Sequence, residues 1–541
     1  MSKTVYFNGK VYTGTLPLVT GFVTEGGRIV AAGSDEEVFA AAPGAEAVDL
    51  GGRFVMAAFN DSHMHLLAYG NALRAARLDE HTKSLADMIG YLRRFEAEHP
   101  HRNGAWLQGR GWNQDYFTDV KRMPTRADLD QVSADIPICM TRACGHILTV
   151  NSKAIELMGV TDDTPDPEGG AIGRDKNGHL NGIFSDNAMD EYVYPKIPVP
   201  DKDEIKEMIK AACRELNRFG VTSSQTDDYC MFRAVPWQTV NEAYKELEEE
   251  GLLTVRVYEQ SNFTTLDDLK EFYAEGCTTG VGTDNFKIGP LKMLGDGALG
   301  ARTAYLSRPY ADDPSTSGYP LFDQDTFDAM IGFANEHGMQ VAVHAIGDAC
   351  LDMVLNAYEK TFAAHPRKDH RCGIVHCQVT RPEQLKRIAD MNLHVYMQSI
   401  FLNYDIHMIH ERVGNELAST SYAWKTLASA GVSVSNGTDC PVELPDALAC
   451  MQCGVTRKTL DGTMGPYRPE EAFSIQEILD SYTIKSAEAS FEEDVKGRIA
   501  PGYQADFVVL SGNPFETAPE HLKDIPVEAT FMNGKLVYGN L

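Results

Sequence analysis

Long hydrophobic runs are missing from this sequence of 541 residues: no apolar stretch approaches the length that crosses a bilayer as a helix. The opening MSKTVYFNGKVYTG has no continuous apolar segment of the kind that directs secretion. Positive charge is also scarce. Lys and Arg total 49 against 77 Asp and Glu, a formal net charge of −28. A surface this acidic repels phosphate backbones and anionic lipid, so nucleic acid and membrane are excluded as expected partners. The 11 cysteines are odd in number and share no repeated short spacing. That pattern argues against a disulfide framework or a zinc ribbon and fits a reducing cytoplasm, the expected location. Internal repeats and low-complexity tracts are absent as well.

What is present is a folded chain with 43% hydrophobic and 23% charged residues. Its length calls for more than one structural unit. Residues 1–52 read as short β segments. Thr4–Phe7 and Lys10–Tyr12 flank Asn8-Gly9, which suits a tight hairpin turn, and Gly21–Thr24 and Arg28–Ala31 flank Glu25-Gly26-Gly27 in the same way. The C-terminal end has the same style, with Asp506–Leu510, Ala529–Met532 and an Asn533-Gly534 turn before Lys535–Tyr538. One β-sandwich assembled from both ends, residues 1–52 plus 488–541, is therefore expected.

Between the ends, strands alternate with amphipathic helices, the pattern of a parallel α/β fold. The expected core strands are Phe54–Phe59, Gly220–Thr226, Leu253–Glu259, Phe286–Leu294, Gln340–His344, Cys372–His376, His394–Gln398 and Val432–Ser435. Eight such strands are what a closed (β/α)8 TIM barrel requires, here within residues 53–487. About 150 residues separate the first two strands, too many for one helix. We expect this stretch to hold an inserted subdomain, residues 80–200, over the barrel mouth.

Several of these strands end in metal-ligand residue types. Asp61-Ser62-His63-Met64-His65 follows the first apolar strand, and in extended chain His63 and His65 point the same way. His344 ends the fifth strand, His376 the sixth, and Asp439 follows the eighth. Barrel sites lie at C-terminal strand ends, so these residues converge. The fourth strand carries Lys292 in an apolar context, where an ammonium is costly unless paired or chemically altered. Two readings stay open: an ion pair, for example with Asp296, or a carbamate formed from CO2 and a neutral amine. The donors are nitrogen and oxygen, which favours zinc among divalent ions. Cys377 and Cys440 lie beside expected ligands and point away from them, as packing residues.

These residues resemble the amidohydrolase superfamily, and within it amidohydrolase family 3, the branch of N-substituted formamide deformylase. The resemblance runs through Phe59–His65, Gly109–Gln114, Gly145-His146 with Asn151–Ala154, and Asp296–Ala304. It continues through His344–Asp348, His376–Gln378, Gly437–Val442 and Lys496–Gly502 with Ala505-Asp506. The sequence departs from the branch at Ala57-Ala58, Val375 and Cys440, none of which removes a ligand. The resemblance implies hydrolysis of a C–N bond in a small molecule (amide, N-formyl or cyclic amide) by a metal-bound hydroxide. It implies two divalent metals, zinc foremost, held by His63, His65, His344, His376, Asp439 and a bridging carbamate on Lys292. Asp439 is then the general base and acid. Trp112, Gln114, His146 and Arg302 become substrate contacts, and a homodimer is expected. Two other readings are a mononuclear deaminase of a small N-heterocycle and a non-catalytic metal-binding regulatory protein. Lys292, and the lack of a Glu soon after His344, weigh against deamination.

Overall fold

The computed structural model describes residues 2–99, 105–143, 146–232 and 234–541. Two compact units are present: Met1–Tyr69 with Ile209–Leu541, and Gly70–Met208.

The larger unit is built on eight parallel strands: β1 (Phe59–Met64), β2 (Val221–Thr226), β3 (Arg256–Asn262), β4 (Phe286–Leu294), β5 (Val341–Ala345), β6 (Gly373–His376), β7 (His394–Met397) and β8 (Val434–Asn436). Neighbours in sequence are neighbours in the sheet throughout, which gives a TIM barrel. Between β8 and β1 the regular ladder stops, and the gap is closed at the C-terminal ends. There Asp439 N donates to His63 O (2.9 Å) and His65 N to Cys440 O (2.7 Å). Asp61 reinforces the seam, its Oδ2 accepting from Thr438 Oγ1 at 2.5 Å.

The surrounding helices follow from their apolar spacing. In Lys202–Arg218 the buried apolar residues are Ile205, Met208, Ile209, Ala212, Cys213 and Leu216, one continuous stripe of a 3.6-residue period. Gln324–Glu336 buries Phe327, Met330, Ile331 and Ala334 and is capped by Asp323, whose side chain accepts from Thr326 N at 2.8 Å.

Three expectations are corrected. The apolar run Phe54–Ala57 is not a barrel strand; it pairs antiparallel with Phe507–Leu510 in the small sandwich. The chain enters the barrel only at Phe59, so His63 lies inside β1. β1 is polar in sequence, yet every residue of it is buried, because a barrel strand has the interior on one face and the helix layer on the other. The Asn8-Gly9 turn does not make a hairpin. Lys3–Phe7 pairs with Gly21–Glu25, whereas Lys10–Val11 pairs with Phe54–Val55 in the other sheet, so the turn passes the chain between sheets. Finally, β3 begins at Arg256, three residues later than the apolar pattern suggests.

The sandwich comprises a four-stranded and a five-stranded sheet, the second combining strands from both ends of the chain. Tyr6 stacks on Phe22 (centroids 4.7 Å) and Phe507 on Phe531 (4.4 Å) in its core. Arg256, buried at the start of β3, holds sandwich to barrel through Asp506 (Nε–Oδ2 2.6 Å) and Asn533.

The second unit has its own six-stranded mixed sheet, running Gly170–Arg174, Leu180–Asp186, Ile147–Val150, Ile138–Arg142, Leu107–Trp112 and Ala76–Arg77 in spatial order. Two apolar clusters form its core, one around Leu148 and Phe184 and one around Leu92 and Trp112.

Candidate metal centre

His63 and His65 leave β1 two residues apart, and both face Asp439. Nε2 of His63 is 3.4 Å and Nε2 of His65 3.1 Å from Asp439 Oδ1. The donor atoms of all three lie within 4.8 Å of one another. Asp439 sits in the left-handed region (φ 58°), as does His376 (φ 74°) at the end of β6. Non-glycine residues enter this region at a cost, which recurs where the surroundings fix a functional side chain. The His376 ring centroid is 5.6 Å from that of His63 and 4.4 Å from that of His344. His344 turns Nε2 toward Gly297 O (3.1 Å) and Asp296 Oδ1 (3.3 Å). The five residues therefore form a tight trio with an adjoining histidine pair.

The back of each ring is held. His63 Nδ1 is 2.7 Å from Gln260 Oε1, and Gln260 Nε2 donates to Ser62 O. That second bond fixes which end of the amide faces the imidazole, so Nδ1 carries the proton and Nε2 offers its lone pair. Gln398 repeats the device, its Oε1 2.7 Å from His376 Nδ1 and its Nε2 donating to Tyr396 O. His65 Nδ1 uses Asp227 O (3.1 Å). Such outer contacts orient metal-binding imidazoles.

The electrostatics agree with a cation site. Burial, with the charge of Lys292, holds His63 well below the usual histidine range, and burial with His344 does the same for His376, so both rings are neutral. Burial pulls His65 down, but the Asp439 carboxylate overrides it and lifts it to about 9. Asp439 is held below its ordinary value by the imidazoles against the opposing effect of burial. Its Oδ1 is buried, and what faces it is the pair of imidazole nitrogens. A desolvated carboxylate oxygen held against two imidazole nitrogens fits a divalent ion. Burial raises the thiols of Cys377, to about 12, and of Cys440.

Lys292 is completely buried on β4, with Nζ 3.4 Å from Asp227 Oδ2. Asp296, the ion-pair partner considered from sequence, instead accepts from Ile346 N, Gly347 N and Tyr305 N. Asp227 follows β2 and also accepts from Asn262 Nδ2 (3.0 Å).

A cavity of about 360 Å³ lies among the loops after β4, β5, β6, β7 and β8, lined by Leu299, Ile346, Phe401, Tyr404, Val442 and others. It adjoins the centre: Phe401 stacks on His376 with centroids 5.8 Å apart.

Of the residues expected to touch substrate, Trp112, Gln114 and His146 belong to the second unit and Arg302 to the larger one. Trp112 is fully buried in the core of the second unit, its indole N–H donating to Met140 O (2.9 Å). Gln114 accepts from Arg142 Nε (2.9 Å), and exposed His146 contacts Asp186 at 3.2 Å; Gly145 lies outside the described residues. The Arg302 fork is taken up by Asp312 (3.1 and 2.8 Å). Sequence reading missed Asp227, Gln260 and Gln398. They lie in or just after β2, β3 and β7, and nothing in the local sequence sets them apart.

Residues 46–538 match the model of the amidohydrolase family. The chain belongs to this family. The amidohydrolase is 34% identical over 545 residues to YtcJ of Bacillus subtilis (strain 168), covering 99% of each chain. It is 25% identical over 527 residues to the N-substituted formamide deformylase of Arthrobacter pascens, covering 95% of this chain and 94% of that one. Among solved structures it is similar to a metal-dependent hydrolase of Pyrococcus furiosus, with TM-score 0.78 and 30% identity over 95% of this chain and all of that one. With the geometry above, these relationships make the protein a metal-dependent hydrolase.

Proposed function

We propose that this amidohydrolase hydrolyses a C–N bond of a small molecule, an amide, N-formyl or cyclic amide, at a centre for two zinc ions. The observation that carries the reading is the buried Asp439 Oδ1 facing His63 and His65, with His344 and His376 alongside. His63, His65 and Asp439 would hold one ion; His344 and His376 would hold the second, with Asp439 near both. Lys292 would supply a further anionic ligand as a carbamate, formed when its amine, as the free base, adds to CO2: the N–C bond forms, one C=O π bond opens and a proton leaves the nitrogen. Bound there, the ions would polarise the scissile carbonyl and lower the pKa of a water to about 7.

The chain's own groups do the rest. Asp439 takes the proton of the attacking water and delivers it to the departing nitrogen, whose lone pair is freed as the C–N bond breaks. Gln260 and Gln398 keep the ligand imidazoles in one tautomer. The cavity holds the body of the substrate beside the carbonyl. The relative named for deformylating N-substituted formamides supports the choice of bond.

The test is release of free amine from N-formyl amines, N-acyl amines and cyclic amides by the zinc-loaded protein. Turnover of one of these classes, abolished in Asp439→Ala, is expected. No turnover of any by fully loaded protein overturns the proposal.

A further inference from the structure

The cavity beside the metal centre holds something that amide hydrolysis does not require. Asp405 and Glu443, from separate segments, both line it among apolar and aromatic side chains, and no lysine, arginine or histidine lines it with them. Asp405 is held in place: its Oδ2 accepts from Tyr422 Oη (2.7 Å) and Gln378 Nε2 (3.3 Å), and Tyr422 is fully buried. Tyr404 lies close enough to Glu443 for that carboxylate to raise its hydroxyl pKa. Among the described residues, no side-chain cation lines the cavity to offset either acid. Burial and the neighbouring carboxylates Asp405 and Asp439 push Glu443 up to about 7, and burial pushes Asp405 up to about 6.

Two carboxylates facing an apolar space are costly unless a positive charge joins them. Aromatic faces beside carboxylates are the surroundings that recognise ammonium groups. We propose that this cavity binds a positively charged nitrogen, so that the substrates of the amidohydrolase carry a basic or quaternary amine besides the scissile bond. The inference rests on the reading of the cavity as the place of the substrate's body. Asp405 and Glu443 set specificity, and Phe401 and Tyr404 supply the aromatic faces.

The test uses two probes of one shape, choline and its uncharged carbon isostere 3,3-dimethylbutan-1-ol, titrated calorimetrically into the zinc-loaded protein. A quaternary nitrogen cannot coordinate a metal, so the comparison reads the cavity alone. Choline should bind about tenfold or more tightly than the alcohol. Asp405→Asn and Glu443→Gln should each erase most of that ratio with the metal content intact. Equal affinities, or failure of both probes to bind, overturn the inference. So do variants that lose metal while the ratio stays, since the two acids would then balance the charge of the ions. Binding needs no turnover: a protein that selects choline but hydrolyses no amide would contradict the proposed reaction and leave this inference standing. In the reaction itself, a mono-N-acylated diamine should exceed the N-alkyl amide of equal length in kcat/KM, and the preference should vanish in Asp405→Asn.

Discussion

The amide oxygen of Gln260 stands 2.7 Å from Nδ1 of His63, and because the same amide's nitrogen is committed to Ser62 O, it cannot turn round. The imidazole is thereby presented with its Nε2 lone pair toward Asp439. Gln260→Leu should keep the fold and lower metal affinity about 10- to 100-fold, read by titration against a chelator. Gln260→Glu, which still accepts from Nδ1, should retain most of it. Unchanged affinity in Gln260→Leu would remove the orienting role.

Asp61 closes the barrel where the ladder does not. Its carboxylate accepts from Thr438 N, Thr438 Oγ1 and His63 N, all buried. Asp61→Ala leaves these donors without an acceptor, at about 1–3 kcal/mol for each buried group so stranded. Urea unfolding should show a loss of about 3 kcal/mol or more, with a smaller loss for Asp61→Asn. A loss within error would mean that the seam is held elsewhere.

His394 gives the fold an acid limit away from the metal centre. Burial lowers it from 6.5 to about 3, with Nε2 2.8 Å from Ser435 Oγ. The unfolded chain therefore takes up this proton first, and stability falls as pH drops from about 6.5 toward 3. Glu492, set between Lys496 and Lys287, is lowered against burial to about 2, so its contribution is likewise lost as pH falls, here below 4.5. His394→Gln, which cannot titrate, should lose less thermal stability than the parent between pH 7.5 and 5. Equal losses would contradict the assignment.

Lys292 and Asp439 should separate metal retention from chemistry. Both Lys292→Ala and Asp439→Ala should abolish hydrolysis, the first through loss of metal and the second with more of it retained. Amine release and elemental analysis on the same samples check this. Full activity in either variant would end the proposed mechanism.

The ligand positions were readable because a barrel puts its chemistry at strand ends, and His344 and His376 each close an apolar run that is a strand. The entry to the barrel was not. Phe54–Ala57 looks like a core strand because it is one, but in the sandwich, while β1 hides behind a polar sequence whose side chains are all buried. Alternation cannot reveal a strand whose interior face is a polar site. The glutamines behind His63 and His376 were unreadable for another reason: their role is a side-chain pairing across 197 and 22 residues, and no local spacing encodes that. Burial, too, is not legible at Trp112: its place beside a family motif does not reveal that it packs fully into the core of the second unit.

The central claim is a two-metal centre, and elemental analysis of the purified protein tests it most directly. The account predicts about two divalent ions per chain, mainly zinc. A ratio that stays near zero after incubation with zinc, or that saturates at one, would contradict it.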